Sequence, residues 1–290
     1  FTEEGRLVNL ADENLVTAAN AAGVRPMMVL TPLDAEGRFN DNIAAAVFED
    51  PEAQTNLIDN IEANLRAKNM GGVDFDFEYI PRVYAADYVE LVARTQRRLS
   101  PQGYLTSVAL APKVRADQPG VLYEGHDYAG MGRAADYCLL MTYEWGYTHG
   151  PAMAVAPLNK VREVVEYALT KIPAEKINLG IPNYGYDWTL PYVKGTSKAR
   201  TIGNIEAVQL AISQGVSIHF DEVAQAPFFT YVQNGLTHEV WFEDARSIYG
   251  KFGLVQEYSL RGMSYWQIMR LFRANLLLQE EFFSHNLSNL

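Results

Sequence analysis

The chain has 290 residues, 48% of them hydrophobic, enough to bury the core of a single α/β barrel. Its formal net charge of −11, from 24 Lys and Arg against 35 Asp and Glu, disfavours a nucleic-acid backbone or an anionic membrane surface as partner. No run reaches the roughly 18 apolar residues of a membrane span, and the opening FTEEGRLVNL lacks a basic and then apolar leader, so the targeting segment of an exported protein is expected outside this chain.

In chain order the pattern predicts a helix over 12–22, a strand over 24–30 and a helix over 53–68 with Leu57, Ile61 and Leu65 spaced by four. A strand over 71–79, a helix over 85–99 and strands over 104–112 and 136–144 follow. Next come a helix over 158–170 and a strand over 177–185; a helix over 244–258 and a strand over 261–268 close the series. Asp12, Asn159 and Asp244 stand where helix caps or first-turn acceptors belong. Strands alternating with helices imply a parallel sheet of βα units. The interval before the last helix is too long for one crossover. Within it NIEAVQLAISQ (204–214) reads as a helix, SIHF and FFTYVQNGLTHEVWF as strands, and Asn234-Gly235 as a hairpin turn. We therefore expect a barrel over 1–188 and 244–290 and an inserted α+β subdomain over 189–243, without internal repeats. The single cysteine, Cys138, follows Tyr137 and precedes Leu139 and Leu140, the setting of a buried strand thiol.

The stretch GGVDFDFEYI (71–80) sets three carboxylates on alternate positions of an apolar strand. Residues two apart lie roughly 6.5 to 7 Å from one another on one face, so Asp74, Asp76 and Glu78 oppose Val73, Phe75, Phe77 and Tyr79. Crowded acids in a barrel interior cannot all ionise cheaply, and one is expected to retain a proton, as a general acid must. Glu78, nearest the carboxyl end of the strand, is placed to meet a ligand. A divalent-cation site and a solvated edge strand are the competing readings of the run. Against the edge strand stand the Gly71-Gly72 entry and the bulky Phe75 and Phe77.

The run resembles the glycoside hydrolase family 18 signature D-x-x-D-x-D-x-E, whose Glu is the catalytic acid. LMTYEW (140–145) is similar to the family's M-x-Y-D strand, GIPNYG (180–185) to its G-x-P-x-Y-G strand and GMSYW (262–266) to its last barrel strand. The resemblance covers almost the whole chain. ALAPK, LYEGHDYAGMGRAADY, MTYEWG, YGYDWTLPY and HEVWFEDARS look most like bacterial spore-germination, cortex-lytic members, which carry LysM modules upstream. It implies a (β/α)8 TIM barrel whose first two strands lie outside this chain. It also implies that Glu78 protonates the glycosidic oxygen and then acts as base, that Asp76 orients and charge-stabilises a 2-acetamido group, and that Asp74 modulates Asp76. By the same likeness Tyr143 bonds the acetamido carbonyl, Trp266 forms the floor under the sugar, and Met141, Glu144 and Tyr184 line the substrate site. The implied reaction is retaining and substrate-assisted, the acetamido oxygen attacking the anomeric carbon, so that one acid suffices. Gly71 stands where the signature has its first Asp and Glu144 where M-x-Y-D has its carboxylate.

Trp145, Trp188 and Tyr184 follow strand ends, where an aromatic ring either stacks on a sugar or packs in the core. Trp241 is read as part of the insertion's small core. The histidines, His126, His149, His219, His238 and His285, show no zinc-ligand spacing, and no nucleotide-binding loop is present, so neither metal nor cofactor is expected. The expectation is a monomer acting on peptidoglycan, foremost the spore cortex, or another N-acetylglucosamine polymer, in the spore or the extracellular cell envelope of a spore-forming bacterium. Rival readings are a hydrolase of chitin oligomers, a non-hydrolytic carbohydrate binder on the same fold, and a carboxylate-metal phosphohydrolase. Asn286-Leu287-Ser288 fits a glycosylation triplet of little meaning in a bacterial chain.

Overall fold

The computed structural model describes residues 1–283, so His285 and the triplet at 286–288 lie outside the described residues. The chain divides into two compact units, one of Phe1–Leu140 with Tyr167–Ile177, the other of Met141–Glu166 with the chain from Asn178 onward.

In the first unit, α1 (Glu13–Ala21), β1 (Met27–Leu30), α2 (Asp41–Glu49), α3 (Pro51–Lys68), β2 (Gly72–Phe75), α4 (Ala85–Leu99), β3 (Leu105–Leu110), α5 (Tyr128–Ala134) and β4 (Tyr137–Leu140) follow one another. The strands pair in parallel in chain order, with Asp74 opposite Val29 of β1 and Ser107 of β3. β2 is thus a central strand, as its apolar face requires, and the edge-strand reading falls. Local chemistry sets the helix bounds. Asp50 caps α3 by accepting from the Glu52 N–H at 2.8 Å, and Asn69 ends it in the left-handed region at φ 53. Asp12 departs from expectation: its side chain makes no cap bond and instead pairs with Lys68 of α3. Gly72 is required by packing, because a Cβ there would stand 2.1 Å from the Leu105 carbonyl oxygen. Cys138 is buried, which pushes its thiol up to about 12.

α6 (Leu158–Leu169) begins in the second unit and ends in the first, and β5 (Ile177–Pro182) begins in the first and continues in the second, which then contains β6 (Gly185–Thr189), β7 (Arg200–Ile202), α7 (Asn204–Gln214), β8 (His219–Asp221), β9 (Ala226–Gln233), β10 (Leu236–Trp241), α8 (Ala245–Glu257), β11 (Gly262–Trp266) and α9 (Arg273–Phe283). β5 and β11 pair in parallel. The remaining strands form an antiparallel sheet ordered β7-β6-β10-β9-β8, which takes in Gly185–Thr189, ahead of the expected start of the insertion. Asn234 and Gly235, at φ 53 and 77, make the tight turn between β9 and β10. Behind that sheet α7 packs Ala207 and Ala211 against Phe229, Tyr231 and Val240. Asp244 caps α8, accepting from the Arg246 and Ser247 N–H groups at 2.9 and 3.1 Å.

Candidate active site

In the first unit the carboxylate run keeps its predicted alternation as far as Glu78, while Tyr79, expected on the apolar face, is 45% exposed. Val73, Phe75 and Phe77 are buried, Phe77 stacking on Tyr88 with centroids 4.9 Å apart and planes 6° apart. That packing leaves Asp74, Asp76 and Glu78 half-buried on the other face. The Ser107 hydroxyl donates to Asp74 Oδ1. Even so, desolvation raises the Asp74 carboxyl above its ordinary range. Asp76 has an oxygen, Oδ1, that is buried without a hydrogen-bond partner among the described residues. Burial first, and the charge of Asp74 second, push its carboxyl up to about 6. Burial on this face, with crowding added at Asp76, thus raises the proton affinity of both Asp74 and Asp76.

Ladder pairing of β2 stops early. The Asp76 N–H still donates to the Leu30 carbonyl at 3.0 Å, but Tyr79 sits in the left-handed region at φ 59 and turns the chain away directly after Glu78. Gly71, at the other end, leaves room for the Arg25 side chain, whose Cγ lies 1.8 Å from where a Cβ would be. A cavity of about 310 Å³ opens at that foot of the strand, lined by Asn20, Arg25 and Asn69 among others and by no acid. No cluster of three or more His, Cys, Asp or Glu suited to a metal ion occurs among the described residues.

In the second unit Met141 is buried and Tyr143 half-buried, and the Thr142 hydroxyl between them donates to the Gly180 carbonyl at 2.6 Å. Glu144 takes a left-handed backbone at φ 68. Its Oε1 accepts from the Tyr184 hydroxyl and, at 2.9 Å, from the Tyr186 hydroxyl. Desolvation outweighs both donors and raises its carboxyl. Tyr184 thus reaches the site as a partner of Glu144, and Tyr186, which the sequence reading did not single out, does the same.

The indoles separate cleanly. Trp266 at the end of β11 is 57% exposed, whereas Trp188 is 1% exposed and its Nε1–H donates to the Gly150 carbonyl at 2.9 Å. Trp188 is a packing residue; its ring face is not offered to a sugar. Trp145 is half-buried, with its backbone N–H donating to the Val155 carbonyl at 3.0 Å. Trp241 stacks on Phe228 at 4.6 Å within the antiparallel sheet. Sequence reasoning missed Ser107, whose position opposite Asp74 only register reveals, and Asn183, whose Nδ2 donates to the Gln267 and Arg270 carbonyls at 3.3 and 2.6 Å, bracing the loop after Trp266.

Comparison with known proteins completes this picture. The model of the glycosyl hydrolases family 18 matches residues 38–270. The cortical fragment-lytic enzyme of Bacillus subtilis (strain 168) is 41% identical over 280 residues, covering 96% of this chain and 65% of that protein. The crystal structure of the spore cortex-lytic enzyme SleL of Bacillus megaterium QM B1551 superposes with a TM-score of 0.92 at 41% identity, over 97% of this chain and 64% of that one. A chitinase from Chromobacterium violaceum ATCC 12472 shares the fold, with a TM-score of 0.91 at 24% identity over 98% of this chain and 89% of that one. The chain thus spans a little under two thirds of the length of the first two relatives. Its fold class is the α/β, TIM-barrel-like one that the sequence implied.

Proposed function

Because the chain belongs to glycosyl hydrolase family 18, we propose that it is a retaining, substrate-assisted hydrolase of β-1,4-linked N-acetylglucosamine polysaccharide, with spore-cortex peptidoglycan as its polymer. The observation that carries the reading is the Asp74, Asp76 and Glu78 face of a central strand, with an Asp76 oxygen unpartnered among the described residues and an Asp76 carboxyl pushed up to about 6. On this reading Glu78 donates a proton to the glycosidic oxygen and later takes one from water. Asp76 meets the acetamido N–H and supports the positive charge that grows there as the acetamido oxygen attacks the anomeric carbon. Asp74, tied to Ser107, tunes the charge on Asp76. Tyr143 bonds the acetamido carbonyl, Glu144, held by the Tyr184 hydroxyl, meets the sugar's polar edge, and exposed Trp266 supplies the apolar floor.

Cortex is favoured over chitin because both relatives of highest identity quoted above are named for cortex lysis. A setting in the spore, and LysM modules elsewhere in the full-length protein, accord with that choice. Mass spectrometry of products from purified cortex peptidoglycan and from chitin, run side by side, tests it. The reading predicts fragments ending in reducing N-acetylglucosamine from cortex at the higher rate; faster release from chitin would move the assignment to the chitinase type.

A further inference from the structure

We propose that His126 is a positioning residue for Asp76 and Glu78: its imidazole replaces a rung of the parallel ladder between β2 and β3 and holds the two strand ends apart. The inference rests on the reading of Glu78 as proton donor. Its geometry comes from register. Asp74 lies opposite Ser107 and Phe75 opposite Val108, and the Leu105 N–H donates to the Gly71 carbonyl at 3.0 Å. In a parallel ladder such bonds recur along both strands at a constant offset. Carried from Gly71 to Phe77 and from Leu105 to Ala111, the offset pairs the Ala111 N–H with the Phe77 carbonyl.

That bond is replaced. The Ala111 N–H donates to His126 Nδ1 at 2.8 Å, and His126 Nε2–H donates to the Phe77 carbonyl at 2.9 Å. Acceptance at Nδ1 fixes the proton on Nε2, so the ring is neutral and both nitrogens are occupied. His126 therefore takes no proton from substrate. It is fully buried, and protonation would set two N–H donors against each other at Ala111; burial accordingly pushes its pKa down to about 4.

The surroundings fix the wedge in place. Tyr128 O–H donates to the Ala111 carbonyl at 2.6 Å and accepts from the Lys113 N–H at 3.0 Å, while Lys113 Nζ donates to the His126 carbonyl at 2.9 Å. Gly125 brings the loop close beneath the turn that follows Glu78, since a Cβ there would lie 2.3 Å from the Ile80 carbonyl oxygen. The Phe77 carbonyl belongs to the residue between Asp76 and Glu78. Holding that peptide plane holds the direction of both acids, the precision that positioned chemistry demands.

Two variants and one spectroscopic measurement test the proposal, using the full chain and spore cortex fragments as substrate. Glutamine presents an acceptor and a donor side by side, much as imidazole does. His126→Gln is expected to keep kcat within about tenfold of wild type, and His126→Ala to lose about 100-fold in kcat with KM within about twofold. Millimolar imidazole should recover part of the alanine variant's kcat. ¹⁵N NMR of the wild type should show a neutral Nε2–H ring at pH 6. A folded His126→Ala enzyme with wild-type kcat, a folded His126→Gln enzyme as slow as expected for alanine, or an Nδ1–H ring would each overturn it. Full turnover by Glu78→Gln would instead remove the proton-donor reading, and the NMR result would still report on the rung itself.

Discussion

Two aspartates on strands of this molecule are treated in opposite ways. Asp187, on β6 in the second unit, is buried and fully served: it accepts from the Tyr231 hydroxyl at 2.8 Å, from His238 Nδ1 at 3.0 Å and from Arg200 Nη2 at 3.3 Å. Donors from β7, β9 and β10 converge on it, so the acid ties an antiparallel sheet together. Asp76, on the extension of β2 in the first unit, has a buried oxygen with no partner among the described residues and a carboxyl pushed up to about 6. Complete satisfaction marks a structural acid, and withheld satisfaction marks one kept for a ligand.

Substitution should separate the two roles. Asp76→Asn keeps the shape and removes the charge that, in the proposed mechanism, supports the acetamido group. It is expected to lower kcat by about 10² to 10³, in the range of a lost transition-state contact, while thermal unfolding shows no loss of stability. A variant that unfolds earlier and turns over normally would erase the contrast. Asp187→Ala should do the reverse. It strands the buried Tyr231 hydroxyl and the half-buried His238 ring and releases the exposed Arg200, and is expected to cost about 2 to 4 kcal/mol of stability, read by urea titration, with kcat of the folded fraction within about twofold.

The smallest effect is read by pH. The folded Asp76 carboxyl titrates near 6 against 3.8 unfolded, so its contribution to stability is present below 3.8 and lost as pH rises through 6. His126 works the other way: its pKa is about 4 folded against 6.5 unfolded, so its contribution is present above 6.5 and lost as pH falls towards 4. The two slopes oppose each other over most of that range. Asp76→Asn removes one of them. Relative to wild type, the variant is expected to gain about 1.4 kcal/mol of stability per pH unit between about pH 4 and 6. Parallel stability curves for the two proteins would show that Asp76 does not carry the raised affinity.

Much of the fold was legible, and the exceptions have physical reasons. α4 and α7 begin and end at the predicted residues, because strong apolar periodicity over Ala85–Leu99 and the glycine at 215 after Asn204–Gln214 mark them clearly. α2 and α5 went unread. DNIAAAVFE is a short segment closed by Pro51, and YAGMGRA carries two glycines that ordinarily argue against a helix. The strand over 71–79 was read too long because its alternation continues past the ladder: Phe77 and Glu78 keep their faces, while the rung to β3 passes to His126. The acid face itself was plain from spacing. Its partners were not, since Ser107 and His126 lie 33 and 49 residues away from the groups they bond. The register of β2 on β3 brings Ser107 there, and the loop ahead of α5 brings His126. Trp188 illustrates the converse, a sugar-stacking candidate by position that folding places in the core.

The central claim is that Glu78 delivers the proton. The direct measurement is release of reducing ends from purified spore cortex fragments by wild type and Glu78→Gln, with binding of the same fragments followed in parallel. The account predicts a loss of turnover of about 10² to 10⁴ with binding retained, and unchanged turnover by Glu78→Gln would contradict it.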